Sequence, residues 1–246
     1  MSNKFYAPGG QRAARVYDLF ATVAPRYDLI NDLQSFGLHR RWKRRLVRLA
    51  QVKPGDRALD LCCGTGDLAF ALAARGAAVV GLDFSERMLA IAEQRKAKTS
   101  GGRIPVEFLR GDAQQIPLAD ASFDLVTVGY GLRNLSSWET GLREMQRVAK
   151  PGARLLILDF GKPGHRLWRG LYLGYLRWLV PVLGRIFCGD AAAYAYIFES
   201  LKHYPAQQDL AARMRELGLA GVRYENLLGG VMSLHYGEKP AGAAPL

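Results

Sequence analysis

Three aspartates stand at the ends of three successive apolar runs of the sequence: Asp60, Asp83 and Asp112. If the runs are parallel strands of one sheet, the three carboxylates lie in one crevice at the carboxyl edge of that sheet. In that order they can accept hydrogen bonds from an ammonium group, from ribose hydroxyls and from an adenine amine. Any one of them alone is as readily a polar residue that ends a strand, but the ordered set favours a ligand site.

The turn after the first run indicates which ligand this is. The stretch LDLCCGTGD, residues 59–67, places Gly64 and Gly66 where backbone can approach a ligand closely. A dinucleotide site needs a third glycine, but Leu68 and Ala69 stand where it would help, which disfavours a dehydrogenase. No phosphate-binding G-K-[ST] follows either. The set therefore predicts a ligand with a charged amino-acid end and no pyrophosphate, which is S-adenosylmethionine (AdoMet).

The elements that must position these residues alternate between strand and helix. Strands are predicted at 57–61, 77–82, 106–109, 123–128 and 154–160, with helices at 67–75, 85–98 and 138–149 and a turn at 150–152. A helix at 207–217 and two strands, 222–228 and 231–236, joined through Gly229-Gly230, predict an antiparallel edge. The expected fold is α/β, with a mostly parallel sheet covered by helices on both faces.

Two segments lie outside this alternation and define the predicted domain organisation. The sequence divides into an N-terminal helical cap, a core, an apolar and basic insertion, a C-terminal helix with the antiparallel strands of the core, and a loose tail, at 1–50, 51–160, 161–204, 205–240 and 241–246.

The chain has a large positive charge, which predicts an anionic partner. The formal net charge is +12 over 246 residues, and residues 1–57 carry twelve Lys and Arg against four acids. Nucleic acid, an acidic lipid surface and an anionic substrate all fit such a surplus. Residues 38–50 are predicted to form an amphipathic helix, with Leu38, Trp42, Leu46 and Leu49 on one face and six basic residues on the rest. By itself this pattern is typical of a solvated helix packed on the core.

The insertion combines leucines and aromatic residues with arginines. Residues 160–189 hold five Lys and Arg and no acid, so the segment is too charged to span a bilayer. Its composition suits an anionic membrane surface or a lid over an apolar ligand. The alternative is burial on the sheet or in a homodimer interface.

The cysteines give no indication of a metal site. Cys62, Cys63 and Cys188 are the three cysteines, and no C-x-x-C spacing occurs, so neither zinc nor an iron–sulfur cluster is expected. They suit reduced core residues of a cytosolic protein. The N-terminus lacks the apolar region of a secretory signal, and no window of eighteen apolar residues predicts a membrane span.

Three further motifs resemble those of a known family. They are Y-D-L-I-N…S-F-G-L-H-R-R-W at 27–42, G-L-R-N at 131–134, and R-V-A-K-P-G at 147–152 followed by D-F-G at 159–161. Together with the glycine turn they resemble, over nearly the whole chain, the ubiquinone/menaquinone biosynthesis C-methyltransferases (UbiE/MenG), which are class I AdoMet-dependent methyltransferases. The chain departs from the family's pattern at Ile30, Gln34, Tyr130, Ala153, Asp159 and Gly161.

The resemblance implies a fold, a cofactor and a reaction. It implies a Rossmann-like sheet of seven strands, one of them antiparallel, and methylation of a ring carbon of a prenylated quinol by a cytoplasmic enzyme at the inner face of the membrane. The implied AdoMet contacts are Thr65, Asp83, Asp112, Ala113 and position 129, which is Gly129 here where the family often has serine. Nucleic acid is not expected as a partner on this interpretation. Methylation of another small molecule or of RNA, and a binding module with a vestigial AdoMet fold, are the alternatives.

Such a reaction needs a group that raises electron density on the ring by acting at the quinol oxygen. Arg133, Tyr27 and His203 are the candidates. Arg133 follows the fourth predicted strand at the cofactor edge, and it could instead form a structural ion pair with Asp124 or Glu139. Tyr27, with Asn31, is expected to close over the methyl donor, and His203 to line the acceptor pocket. His39 is better explained as a packing or capping residue.

Overall fold

The computed structural model describes residues 24, 27–99, 104–180, 182 and 192–242. Within these residues one seven-stranded sheet forms the centre of the molecule. Its strands are β1 Arg57–Leu61, β2 Ala78–Asp83, β3 Val106–Arg110, β4 Phe123–Gly129, β5 Ala149–Phe160, β6 Ala220–Leu227 and β7 Met232–Glu238.

The strand order is β3-β2-β1-β4-β5-β7-β6. The pairs from β3 to β5 are parallel, and β7 pairs antiparallel with both β5 and β6. The predicted fold class is therefore confirmed, with the antiparallel edge formed by a hairpin in which β6 is outermost. Because β1 and β4 are neighbours whose connections leave in opposite directions across the sheet, a crevice opens at their carboxyl ends.

Helices flank the sheet in the described ranges. They are α1 Tyr27–Ser35, α2 Leu38–Leu49, α3 Asp67–Ala73, α4 Glu86–Lys98, α5 Trp138–Val148, α6 Arg166–Gly174, α7 Ala192–His203 and α8 Gln207–Glu216. One turn of π-helix, Tyr175–Leu179, continues α6. None of the described helices has both the length and the apolar character needed to cross a bilayer.

The core lies on both faces of the sheet because successive strand residues point in opposite directions. On one face Leu156 and Leu158 pack in the cluster that contains Leu46 of α2 and Tyr172 of α6. On the other face, a second cluster joins inward residues of β1, β4 and β5 to α5 and α8, with Leu59, Val126, Leu155, Ile157, Leu142, Met145, Leu210 and Met214 among its members.

Side-chain caps fix where the helices over the crevice begin. Ser85 accepts a hydrogen bond from the Met88 N–H at 3.5 Å, and Ser137 accepts one from the Thr140 N–H at 3.1 Å. These bonds satisfy amide groups that the first helical turn leaves without partners. With these caps, α4 begins at Glu86 and α5 begins at Trp138.

The predicted turn at 150–152 is wrong, because these residues belong to β5. Pairing of β4 with β5 jumps from Phe123 opposite Ala149 to Leu125 opposite Arg154, which marks a bulge. Gly152, at φ +81°, makes that bulge possible, and its N–H donates to the Lys239 carbonyl at 2.7 Å. Pro151-Gly152 is a local signal for a turn. The hydrogen bond from Gly152 to Lys239, the residue after β7, nevertheless keeps this segment in the sheet.

The amphipathic helix predicted at 38–50 is α2, with Trp42, Leu46 and Val47 buried. Part of its basic face is neutralised within the molecule, through the ion pairs Arg40–Asp32, Lys43–Asp67 and Arg45–Glu225. Arg41, Arg44 and Arg48 are exposed. The helix is therefore a packed core helix, as the simpler interpretation of its pattern predicted.

Candidate functional site

The predicted ligand residues meet at the carboxyl ends of β1, β2, β3 and β4. A cleft there is lined by Cys62, Gly64, Leu82, Asp83, Phe84, Met88, Gly111, Asp112, Ala113, Gln114, Gly129, Tyr130, Gly131, Asn134, Leu135 and Ser136. A smaller cavity, which we call the inner cavity, is lined by Lys43, Asp60, Cys62, Cys63, Gly64, Thr65, Asp67, Leu68 and Gly129. Because Cys62, Gly64 and Gly129 line both, the cleft and the inner cavity are adjacent parts of one site. Gly66 lines neither, and instead begins α3 at φ +87°.

Asp83 holds the turn between β1 and α3 against the end of β2. Its Oδ2 accepts the Gly64 N–H at 2.8 Å, and its Oδ1 accepts the Ser85 N–H at 2.9 Å. Burial raises the pKa of Asp83, and these two amides together with that of Phe84 oppose the rise. Each carboxylate oxygen has two acceptor sites, so Asp83 can still accept hydrogen bonds from two hydroxyls of a ligand.

The turn itself requires unusual backbone conformations. Cys62 has φ +52°, Gly64 has φ +55°, and a Cβ on Gly131 would lie 2.3 Å from the Cys62 Cβ. Burial raises the pKa of the Cys62 thiol, and the carboxylates of Asp83 and Asp60 add to that effect. Cys62 therefore acts as a small neutral wall of the cleft and not as a nucleophile.

Asp112 lies at the outer end of the cleft. Its Oδ1 accepts the Gln114 N–H at 2.8 Å, and the Gln114 amide oxygen accepts from Ser136 Oγ at 2.6 Å and from the Ser137 N–H at 2.9 Å. Gln114 thus joins the loop after β3 to the start of α5. Sequence reasoning gave no ligand role to Gln114, Tyr130, Asn134 and Ser136. Tyr130 and Asn134 belong to one loop of the family's pattern, whereas Gln114 becomes their neighbour only through the fold.

The inner cavity contains a carboxylate of unusual character. Asp60 is 1% exposed, and its Oδ1 accepts from Thr127 Oγ1 at 2.9 Å, whereas its Oδ2 makes no hydrogen bond with the described residues. Burial raises the pKa of Asp60 to about 7, although Thr127, Lys43 and the Ala69 amide act in the opposite direction. Such a group favours a cationic ligand group, because a buried carboxylate oxygen without a partner is costly.

A chain of ion pairs borders this cavity. Asp67 Oδ2 lies 2.8 Å from Lys43 Nζ, and Asp67 Oδ1 lies 2.6 Å from Arg95 Nη2. Burial acts to raise the pKa of Asp67, but the two cations lower it to about 2. The Thr65 hydroxyl and carbonyl both accept from Arg95 Nη1, at 3.0 and 2.9 Å. Arg95 therefore fixes the predicted ligand residue Thr65.

Arg133 lies in the 3-10 turn Leu132–Asn134, directly after the cleft residues 129–131. Its buried side chain pairs with Asp159 of β5, with Nε 3.2 Å from Oδ1, and its guanidinium carbon lies 4.7 Å from the centre of the Phe160 ring. The structural ion pair considered as the alternative for Arg133 is present, but its partner is Asp159 and not Asp124 or Glu139. Asp124 lies at the opposite end of β4, where it accepts from Lys150 Nζ at 2.8 Å.

The other candidate residues lie apart from the cleft or outside the described residues. His203 ends α7 with its side chain 55% exposed, its Nε2 4.0 Å from Glu199 Oε1, and it is absent from the lining of both cavities. His39 is buried with Nε2 2.8 Å from Asp32 Oδ1, and burial lowers its pKa. Tyr27 begins α1, but its side chain lies outside the described residues, as does Cys188.

The residues of the site fit AdoMet. The cleft offers exposed acceptors at Asp112 and buried ones at Asp83. Asp60, whose Oδ2 makes no hydrogen bond with the described residues, lines the inner cavity. Acceptors for an amine, for hydroxyls and for an ammonium group are the set that this ligand needs. In the described residues no group of three or more His, Cys, Asp or Glu side chains is arranged to hold a metal ion.

Comparison with known proteins agrees with this chemistry. Residues 9–239 match the model of the ubiE/COQ5 methyltransferase family. The demethylmenaquinone methyltransferase of Desulfitobacterium hafniense (strain Y51) is 43% identical over 94% of this chain and 92% of its own length. The ubiquinone/menaquinone biosynthesis C-methyltransferase UbiE of Ectopseudomonas mendocina (strain ymp) is 42% identical over 95% and 92%.

Solved structures of SAM-dependent methyltransferases share the fold. One from Thermotoga maritima aligns with a TM-score of 0.61 at 20% identity, covering 91% of this chain and 99% of its own. One from Aquifex aeolicus aligns with a TM-score of 0.57 at 20% identity, covering 80% and 89%. With the family model matched over nearly the whole chain, and with a cleft that fits AdoMet, this protein belongs to the ubiE/COQ5 methyltransferase family.

Proposed function

We propose that this chain transfers the methyl group of AdoMet to a ring carbon of a prenylated quinol, in the formation of menaquinone or ubiquinone. The observation that carries the proposal is the position of Arg133, whose turn continues directly from the cleft residues 129–131. A buried cation at the edge of an AdoMet cleft suits an acceptor that develops negative charge on oxygen. Relatives named for demethylmenaquinone and ubiquinone/menaquinone methylation support the same class of acceptor.

The cofactor roles follow from the residues that line the cleft and the inner cavity. Asp83 accepts from the ribose hydroxyls, Asp112 with the neighbouring Ala113 binds the adenine, and Asp60 binds the ammonium group. The turn around Gly64 and Thr65 lies against the amino-acid end. A Cβ at Gly129 would lie 2.6 Å from Leu68 Cδ1, so Leu68 takes the space that a side chain at this position would need.

AdoMet supplies an electrophilic methyl group on a sulfonium whose leaving thioether is neutral. The protein must hold the acceptor carbon about 3 Å from that methyl group and in line with the breaking bond. Arg133 stabilises the phenolate that develops as the ring carbon becomes nucleophilic. Asp159 and the Phe160 ring hold the guanidinium in place, with Nε 3.2 Å from Asp159 Oδ1.

The proposal includes contact with an anionic membrane surface, where a prenylated quinol is found. On its inner side, α6 with its π-helical turn buries Tyr172 and Leu176, while Leu167, Leu171 and Trp178 are 69%, 59% and 70% exposed. Hydrogen bonds from Trp168 Nε1 to the Leu228 carbonyl and from Tyr175 Oη to the Gln34 carbonyl join it to the 3-10 turn after β6 and to the end of α1.

The turn after α1 and the 3-10 turn add exposed apolar residues to the same region. Phe36 is 79% exposed and Leu228 is 50% exposed. We call the set Phe36, Leu167, Leu171, Trp178, Leu179 and Leu228 the apolar surface. Three arginines are interspersed among the residues of this apolar surface along the chain: Arg166, Arg169 and Arg177. An anchored helix with an apolar outer face and interspersed arginines is typical of proteins that lie in a lipid interface.

The experiment that tests the proposal is a methylation assay with AdoMet carrying a labelled methyl group. Demethylmenaquinol and the corresponding benzoquinol precursor are each supplied in anionic vesicles, and the products are identified by mass spectrometry. Transfer to a ring carbon of either quinol supports the proposal. Transfer only to RNA, or to a water-soluble small molecule supplied in parallel, contradicts it.

A further inference from the structure

The inner cavity brings together a cation and a carboxylate from two different parts of the chain. Lys43 comes from α2, before the first strand, and Asp60 lies in β1. Both line the cavity, and no hydrogen bond or ion pair joins them among the described contacts: Asp60 is bonded to Thr127, and Lys43 to Asp67. A second carboxylate in the lining, Asp67, is paired with Lys43, so the cavity offers a cation and a carboxylate to the two ends of an amino-acid zwitterion.

Asp60 indicates that one end of the missing partner is cationic. The residue is 1% exposed, and its Oδ2 is buried without a hydrogen bond. A structural aspartate would be expected to have both oxygens satisfied, because each buried acceptor left without a partner destabilises the fold. Asp60 is one of the residues that line the cavity, so a ligand ammonium group bound there lies beside this carboxyl group.

Lys43 is held in position to bind the opposite end. Its side chain is 13% exposed, Nζ lies 2.8 Å from Asp67 Oδ2, and it lies 5.8 Å from the centre of the Tyr130 ring. An ammonium group has three N–H donors, so Asp67 can orient Nζ while another donor points to a ligand. Asp67 also pairs with Arg95, with Oδ1 2.6 Å from Nη2. Because the negative charge of Asp67 is shared between two cations, Lys43 can also attract the carboxylate of a ligand.

We propose that Lys43 binds the carboxylate of the amino-acid end of AdoMet, opposite Asp60, which binds the ammonium group. This inference rests on the AdoMet-dependent function proposed above and assigns a cofactor contact to α2, outside the sheet that carries the others. Asp60, Asp67 and Lys43 line the cavity, and Arg95 pairs with Asp67 beside it. When Asp60 is ionised these four groups balance in charge, which suits a ligand end that is itself neutral overall.

The test combines one substitution with one change in the ligand. Wild-type protein and Lys43→Met are titrated calorimetrically with AdoMet and with decarboxylated AdoMet, which keeps the sulfonium and ammonium groups but lacks the carboxylate. Lys43→Met is expected to weaken AdoMet binding by roughly 10- to 100-fold, the range for a hydrogen bond between charged groups. It is expected to leave the binding of decarboxylated AdoMet unchanged.

Two controls separate a direct contact from damage to the fold. Arg44→Met removes a charge from an exposed position of the same helix and is expected to bind both ligands as wild type does. Asp60→Asn is expected to weaken binding of both ligands but not of methylthioadenosine, which has no amino-acid end. Thermal unfolding of each variant checks the fold, and Asp67 keeps Arg95 as a partner when Lys43 is replaced.

The outcomes distinguish this inference from the function on which it rests. A selective loss of AdoMet binding in Lys43→Met supports it. An equal loss for both ligands, or no loss for AdoMet, overturns it while the AdoMet-dependent function stands. If the wild-type protein binds no AdoMet, the function and this inference both fail.

Discussion

Asp159 holds both the side chain and the backbone of Arg133. Its Oδ1 lies 3.2 Å from Arg133 Nε, and its Oδ2 accepts the Arg133 N–H at 3.1 Å. Burial raises the pKa of Asp159, and the Arg133 charge acts against that rise. One carboxylate from β5 therefore fixes the position of the 3-10 turn and the direction of the cation that it carries.

Replacing Arg133 is expected to remove catalysis and to spare cofactor binding. Arg133→Met should lower kcat roughly 100- to 1,000-fold, the range for losing one group that stabilises developing charge. AdoMet affinity, measured calorimetrically, should not change.

The single variant also leaves Asp159 buried without its partner, which costs about 3–5 kcal/mol of stability. The double variant Arg133→Met/Asp159→Asn serves as the control, because it removes both charges. It is expected to regain much of the lost stability in urea unfolding without regaining turnover. Wild-type turnover in the double variant would remove Arg133 from the mechanism.

Asp83 is expected to be indispensable for AdoMet binding. Asp83→Ala removes the acceptors for the ribose hydroxyls and also releases the Gly64 N–H, which Asp83 Oδ2 binds at 2.8 Å. Calorimetry should detect no AdoMet binding at concentrations that saturate the wild type. Asp120→Ala is the matched control, since that carboxylate is 71% exposed and remote from the cleft lining. Retained affinity in Asp83→Ala would contradict the assignment of the cleft to the nucleoside.

The strand-end aspartates could be predicted from the sequence because each follows an apolar run that is itself a local signal. The contacts between residues of neighbouring strands could not be predicted in this way. As the alternative to a catalytic role, Arg133 was considered for an ion pair with Asp124 or Glu139, which are near it in sequence. Asp124, however, lies at the amino end of β4, whereas Arg133 follows the carboxyl end of that strand. The partner, Asp159, becomes a neighbour only because β5 lies beside β4.

The same limit explains Lys43. In the sequence it is one of six basic residues on an amphipathic helix and is indistinguishable from the exposed Arg44. Only the packing of α2 through Trp42 and Leu46 brings Lys43 to Asp67, 24 residues further along the chain. Its role in the site thus depends on tertiary contacts that no local pattern encodes.

Cofactor affinity is expected to fall as the pH is lowered from 7 to 6. Because burial raises the pKa of Asp60 to about 7, its carboxyl group gains a proton in this window and loses its attraction for an ammonium group. The ligand's own amine, with a pKa near 8, stays protonated there, and each pH unit below the pKa of Asp60 should cost up to about tenfold in affinity. The positive charge of Lys43 lowers the pKa of Asp60, and the negative charge of Asp83 raises it.

Calorimetric titrations at several pH values measure this dependence. Asp60→Asn should bind AdoMet more weakly, with a reduced pH dependence in this window. Methylthioadenosine, which has no ammonium group, should show the same reduced dependence with the wild type. An unaltered pH profile in Asp60→Asn would show that Asp60 does not bind the ligand amine.

Gly131 is expected to be irreplaceable for a steric reason. In Gly131→Ala the new Cβ would lie 2.3 Å from the Cys62 Cβ, so the turn must shift at a cost of about 1–3 kcal/mol in the free energy of unfolding. AdoMet affinity should fall with it, because both residues line the cleft.

Two variants check that the clash is the cause. Gly170→Ala, where a Cβ meets nothing within 4 Å, should stabilise α6 by about 0.5–1 kcal/mol. Adding Cys62→Gly to Gly131→Ala should restore stability, because it removes the Cys62 Cβ that the new side chain would contact. Glycine also suits this position, since Cys62 has φ +52°. A double variant as unstable as Gly131→Ala would contradict this explanation.

The apolar surface is expected to bind anionic vesicles. Leu171→Ser with Trp178→Ser replaces two side chains that are 59% and 70% exposed, so the fold should be unaffected while co-sedimentation with phosphatidylglycerol vesicles decreases. Arg169→Glu should weaken vesicle binding further and make it less sensitive to salt, since each basic residue near such a surface contributes about 1 kcal/mol. Arg143→Glu, an exposed change on α5 at the opposite face of the sheet, is the matched control. If the α6 variants bind vesicles as the wild type does, yet methylate quinol in detergent normally, the membrane contact lies elsewhere on the molecule.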